Sequence, residues 1–249
     1  MKKILFLLFF ITSFLGAQTA EQLFENANKL YQENKFEDAI TVYEEIEAQG
    51  VISSELYYNI GNCFYKLNKV APTIYNYEKA LKLDPLNEDA RNNLIFAKRL
   101  TIDKIGEVPQ SFLQKINKNH LQKLSYNQWA IVVVIFSFLG AILFLLYYFS
   151  DIPWIKRFFF TTSSIGFILL IASIFITYNQ YNLEKNTIEA IVFSEVAEVK
   201  SEPLESSSEA FTLHEGTKVL VLDEVDNWKK IKLSDGKTGW ILSKEIKTV

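Results

Sequence analysis

The chain has 249 residues, 14% of them aromatic, and a formal charge of -3. Residues 18–100 and 179–249 each carry 9 basic and 13 acidic side chains, so neither has the basic excess that phosphate-backbone binding requires, which excludes nucleic acid as a partner. The single cysteine, Cys63, excludes an intramolecular disulfide.

Met1-Lys2-Lys3 precedes the apolar run Ile4 to Leu15 and the small-residue exit Gly16-Ala17-Gln18. A charged start, a short apolar run and a small-residue end are the three parts of a secretory signal, here 1–17. No cysteine stands directly after the run, which excludes lipoprotein processing.

From residue 18 to 100 the chain repeats itself at an offset of 34. Ala27 aligns with Gly61, Asn28 with Asn62, Tyr31 with Tyr65, Asn34 with Asn68, Tyr43 with Tyr77 and Glu44 with Glu78. Each copy divides into two apolar-periodic helices about a polar turn, and a fixed period of this size marks stacked helical repeats. Small residues (Ala27, Gly61, Ala39, Thr73, Ala80) fall where paired helices must approach closely. Asp84-Pro85 closes the second copy, because the residue before a proline disfavours the helix. A third first-helix, Glu88 to Leu100, follows without a second of similar quality.

The pattern Tyr57…Ile60-Gly61…Phe64…Thr73…Tyr77…Ala80…Pro85 resembles the tetratricopeptide repeat (TPR) family. That resemblance implies an all-α solenoid of about 2.5 repeats whose first helices line a peptide groove. Mapped onto this chain, the groove takes Asn28, Tyr31, Gln32, Tyr58, Asn59, Asn62, Tyr65, Lys66, Asn92, Asn93 and Arg99. Asn28 and Asn59 match family asparagines that bond a ligand's main chain, and an amide suits that task because it both donates and accepts. Members that clamp a carboxylate carry lysine or arginine where Phe24, Asp89 and Asn93 stand, which speaks against capture of an acidic C-terminus. In the linker 101–128, residues 111–124 are expected to form a helix covering the solenoid's open end.

Residues 130–149 and 158–178 hold no charge. As helices each is about 30 Å long, the thickness of a bilayer's hydrocarbon core, so two transmembrane helices are expected at 129–149 and 158–178. Trp129, Tyr147, Tyr148, Trp154 and Tyr178 stand near their ends, as an aromatic belt requires. Lys156 and Arg157 mark the connection 150–157 as cytoplasmic, placing both soluble domains outside, in the periplasm. Lys115, Lys118 and Lys123, just before the first span, run against that orientation.

After residue 179 the pattern alternates. Residues 188–200, 217–225, 228–233 and 238–242 are expected as strands, Ser201 to Ser208 as a loop, and Asp235-Gly236 as a hairpin turn. Leu213-x-x-Gly216-x-x-Val219, Trp228, Asp235-Gly236 and Gly239-Trp240-Ile241 resemble the bacterial SH3 domain, with Lys200 where many members have arginine. The resemblance implies a small all-β barrel and a peptidoglycan or peptide ligand. Trp228 and Trp240 offer that ligand an aromatic surface, with filling of the core as the competing role, above all for Trp240.

His120 and His214 are the only histidines. No nucleophile–base constellation, HExxH or CxxC spacing occurs, and Glu37-Asp38 and Glu44-Glu45 fall on exposed helical positions. The expectation is a non-enzymatic multidomain membrane protein without cofactor or metal. The order signal, TPR, two spans, bacterial SH3 resembles the BatE family of Bacteroidetes aerotolerance proteins. That implies an inner-membrane scaffold working with von Willebrand factor A-domain membrane proteins and other Bat components. The alternative is a wall-binding module whose SH3 domain holds peptidoglycan while the TPR recruits a wall enzyme.

Overall fold

The computed structural model describes residues 19–249 apart from Glu107 and Gln110, so the expected signal, 1–17, lies outside the described residues. The helical repeat comprises α1 (Ala20–Gln32), α2 (Phe36–Ala48), α3 (Ser54–Lys66), α4 (Val70–Leu83) and α5 (Glu88–Ala97). The helices of each pair are joined by short turns in which Asn34 and Asn68, one repeat apart, adopt positive φ angles of 59° and 56°. Asparagine tolerates that left-handed conformation better than most residues. Thr19, Ser53 and Asn87 cap α1, α3 and α5 with their side chains, satisfying amides that have no helical partner. Ala27, Ala39 and Ala80 are fully buried between helices. Gly61 passes so close to Tyr77 that a Cβ would lie 2.6 Å from its ring.

A short helix, α6 (Phe112–Asn119), precedes α7 (Tyr126–Phe149) and α8 (Pro153–Asn186). The last two are long and apolar enough to cross a membrane. Proline opens α8, a position where its missing N–H costs nothing, so Lys156 and Arg157 lie in its first turns. The pair is antiparallel. Tyr147 meets Phe160 at the closed end, with ring centroids 5.5 Å apart, and Tyr126 meets Tyr181 at the other, 5.7 Å apart. Both ends of the hairpin therefore emerge on one side, where the helical repeat and the β domain meet.

The C-terminal domain has seven strands: β1 (Ile188–Val192), β2 (Val196–Lys200), β3 (Glu209–His214), β4 (Lys218–Val225), β5 (Trp228–Lys232), β6 (Thr238–Leu242) and β7 (Ile246–Thr248). The single strand expected over 188–200 divides at residues 193–195 into β1 and β2, while β3 and β7 are additions. Pairing runs β3-β2-β6-β5-β4-β1-β7, leaving β3 and β7 as edges. The expected closed barrel is thus an open sheet in its hydrogen bonding. It curls around one core to which every strand contributes, including Val192, Val199, Leu213, Val219, Ile231, Ile241 and Ile246.

The helical repeat and the β domain pack together. Along β1, Ala190 and Val192 enter the β core, whereas Ile191 turns the other way into a cluster with Ala71, Ile74, Tyr77, Leu94 and Ala97. Alternation along a strand makes this possible, and β1 is buried on both faces. Phe193 and Val249 extend the cluster, and Phe193 meets Tyr75 edge-on with centroids 5.6 Å apart. The open end of the helical repeat is therefore covered by the β domain rather than by 111–124. Those residues do form a helix, but Asn117 within it is bonded to Gln180 of α8.

Candidate functional site

Two features stand out in the helical repeat and the β domain: the first-helix surface of α1, α3 and α5, and the junction that holds the β domain against α4 and α5.

On the helical surface the asparagines form pairs one repeat apart. Asn28 Oδ1 accepts from the Tyr43 hydroxyl at 2.5 Å and from Asn59 Nδ2 at 3.2 Å. Asn62 Oδ1 accepts from the Tyr77 hydroxyl at 2.7 Å and from Asn93 Nδ2 at 3.0 Å. One acceptor thus ties its own second helix to the next repeat's first helix. Burial pushes the Tyr43 and Tyr77 phenols well above their usual pKa, so both remain donors. The sequence expectation assigned Asn28 and Asn59 to a ligand's main chain. The structure gives the Asn28 oxygen and the Asn59 amide nitrogen internal partners, leaving Asn28 Nδ2 and Asn59 Oδ1 outside this pairing.

The rest of the expected groove divides into packed and open positions. Tyr31 is half-buried, edge-on to Phe36 at 5.3 Å, and burial raises its pKa. Tyr58 lies 3.4 Å from Asn93 and stacks obliquely near Tyr77. Gln32, Tyr65, Lys66, Asn92 and Arg99 are exposed. Phe96 was not anticipated. It occupies the position of Asn28 and Asn62 in the third repeat, where no second helix supplies a tyrosine to bond. It is half exposed, with the Arg99 guanidinium 5.0 Å from its ring. The 34-residue offset carries the signal that would have found it.

At the junction, Glu78 of α4 is almost wholly buried and takes Lys98 and Lys218, each at 2.8 Å. Lys218 also reaches Glu189 at 2.7 Å. Burial alone would raise the pKa of Glu78, but Lys218 and Lys98 outweigh it and hold the carboxyl below its ordinary value. Lys218 is shifted upward, because Glu78 and Glu189 outweigh its own desolvation. A charge cluster so poorly hydrated is tolerated only while its members remain paired.

The segment between repeat and hairpin completes the β domain. Asp103 accepts from the His214 backbone amide at 2.7 Å and the Thr217 hydroxyl at 2.6 Å, and its other oxygen lies 2.8 Å from His214 Nδ1. Burial would raise the Asp103 pKa, yet the bonds from Thr217 and His214 bring it below the usual range. Ile105 packs on the β core, and the Val108 amide donates to Ser234 O at 3.1 Å. These residues thus bond the end of β3, the β3–β4 turn and the β5–β6 turn. Of the two tryptophans, Trp228 is the buried one, 8% exposed. Trp240 lies on the outer face of β6, between inward Gly239 and Ile241, with Lys230 Nζ 5.9 Å from its ring.

A family model described as the bacterial SH3 domain matches residues 195–247, and one described as the tetratricopeptide repeat matches residues 54–87. No curated protein matches the chain. The SH3 match begins after β1, so the strand that docks on the helices falls outside it. A tetratricopeptide repeat suggests protein–protein interaction and a bacterial SH3 domain suggests wall binding. The chain therefore carries both modules, packed against each other and joined through two helices long and apolar enough to cross a membrane.

Proposed function

We propose that the protein is a non-enzymatic scaffold of the bacterial inner membrane, with both soluble domains in the periplasm, that assembles envelope proteins on its TPR surface. The observation that carries this reading is the junction. Ile191, the Glu78–Lys218 pair and Asp103 fix the SH3 domain to the helical repeat. A docked domain suits a rigid assembly platform better than a wall-binding module on a free tether. The residues proposed to meet the partner are the open ones, Tyr65, Asn92 and Arg99, with Phe96 beside them. The partners are those implied by resemblance to the BatE family, von Willebrand factor A-domain membrane proteins and other Bat components.

The test is mild-detergent co-purification of the full-length protein from its native membranes, beside a Tyr65→Ala/Asn92→Ala/Arg99→Ala variant. Among the described residues none of these side chains holds an internal hydrogen bond, so the variant is expected to fold. Recovery of von Willebrand A-domain proteins by the parent and their loss from the variant supports the reading. Recovery of wall enzymes or muropeptides equally by both overturns it.

A second reading, peptidoglycan binding, is favoured by Trp240. Its ring lies on the outer face of the SH3 sheet beside Lys230, an arrangement suited to stacking on a sugar face. It predicts that full-length protein in detergent pellets with purified sacculi and that Trp240→Ala abolishes pelleting.

A further inference from the structure

From Val108 to Ser150 the chain contains no acidic residue, yet Lys115, Lys118 and Lys123 stand just before the first long helix. If both soluble domains are outside, these lysines oppose the charge bias that orients the hairpin. They call for another physical role. The structure places their segment at a defined height. Asn117 Oδ1 accepts from Gln180 Nε2 at 3.2 Å, Tyr126 meets Tyr181 edge-on at 5.7 Å, and the Trp129 indole donates to Leu121 O at 2.9 Å. Gln180 lies two residues beyond Tyr178, where the apolar run gives way to Asn179 and Gln180, or about 3 Å along the helix axis. The polar layer on each side of a hydrocarbon core is about 5–7 Å deep. The helix α6 is thereby held at the level of that layer.

Its faces fit this position. Phe112 and Ile116, four residues apart, share one face, and the chain leaves them 76% and 36% exposed. Asn117, about 100° further round, faces α8. Lys115 is exposed and flanks the apolar face, where a lysine can lay its stem along apolar matter and keep its ammonium in the polar layer. Lys123, also exposed, follows in the 3-10 turn Leu121–Lys123.

We propose that α6 and the turn after it form an interfacial anchor, with Phe112 and Ile116 entering the acyl boundary and Lys115 and Lys123 meeting anionic lipid headgroups. The inference rests on the reading of α7 and α8 as membrane spans. Its consequence is a soluble body held against the bilayer surface by two elements, the hairpin and α6.

The test uses full-length protein with one introduced cysteine, at Ile116, Phe138 or Glu205, spin-labelled at neutral pH, where buried Cys63 stays unreactive. Each is reconstituted into vesicles of phosphatidylcholine, alone or with phosphatidylglycerol, and its accessibility to oxygen and to a water-soluble nickel chelate is measured. The Ile116 label is expected to favour oxygen in the anionic vesicles, as the mid-span Phe138 label does, while the Glu205 label favours nickel. Lys115→Gln and Lys123→Gln are each expected to lower the docked-to-free ratio about fivefold in anionic vesicles. An Ile116 label as open to nickel as Glu205, with Phe138 in the bilayer, overturns the proposal. So does an Ile116 label shielded from both reagents, which means that protein covers it. Equal docking with and without phosphatidylglycerol overturns the assignment to anionic headgroups. A Phe138 label open to nickel overturns the membrane-span reading itself, and the proposal with it.

Discussion

Glu78→Gln removes the charge at the centre of the junction while keeping the side-chain shape. Glu78 is 8% exposed and pairs with Lys98, 46% exposed, and Lys218, 28% exposed. Losing one member of a buried pair costs about 3–5 kcal/mol, because the other charge is left without compensation. Two features reduce that figure here. The half-exposed Lys98 is screened by solvent and contributes at most about 1 kcal/mol, and Lys218 keeps Glu189 at 2.7 Å. The expected loss is about 2–3 kcal/mol at the interface. Thiol labelling of full-length protein carrying Ile191→Cys, with and without Glu78→Gln, reads this directly, since opening the junction uncovers the helix-facing side of β1 while its ladder to β4 and β7 persists. That loss corresponds to about 30- to 150-fold faster labelling at position 191. The double variant Glu78→Leu/Lys218→Met, which removes both charges and keeps the volume, is expected to recover most of the protection. Acceleration below about threefold in Glu78→Gln would refute the argument that this charge cluster holds the domains together. The pH dependence has a fixed sign. The folded pKa of Glu78 is lowered, so its contribution is present above the unfolded carboxyl value and is lost as pH falls through the folded one. That of Lys218 is raised, so its contribution is present below the unfolded lysine value and is lost as pH rises through the folded one. The junction is therefore expected to be tightest across the neutral range and to open first in acid.

Two further outcomes test the same packing. Gly216→Ala places a Cβ 2.9 Å from Val70 and 3.0 Å from Ile74 and Thr101, at φ +83°; it is expected to destabilise by about 2–4 kcal/mol, the sum of backbone strain and overpacking. Gly50→Ala has nearly the same φ, +80°, with nothing within 4 Å, so it should lose only about 1 kcal/mol; equal losses in thermal unfolding would refute the close approach at Gly216. Burial pushes the Cys63 thiol up to about 12, so iodoacetamide at pH 8 should leave it unmodified in the folded protein and alkylate it fully in denaturant. Modification of the native protein within minutes would place Cys63 outside the core.

The helices and strands were largely legible in the sequence because their signals are local. The 34-residue offset locates the paired helices, their tight asparagine turns and the glycine beneath Tyr77, since each depends on neighbours within one repeat. The uncharged runs locate the two long helices through length and composition alone. Alternation and the Asp235-Gly236 turn locate β4, β5 and β6. Tertiary structure decided the remainder. Ile188 to Lys200 looks like one strand, but Ile191 must face the helices while Val192 faces the β core, and the chain turns at 193–195 to place β1 and β2 on different partners. The linker residues Asp103 and Ile105 belong to the β domain, although 111 residues separate Asp103 from His214. Asn28 and Asn59 matched ligand-binding positions, yet the hydroxyl that takes up the Asn28 oxygen comes from another helix, 15 residues away. Pairing, burial and the sharing of one acceptor are properties of chain segments brought together from afar, and no local pattern of residues encodes them.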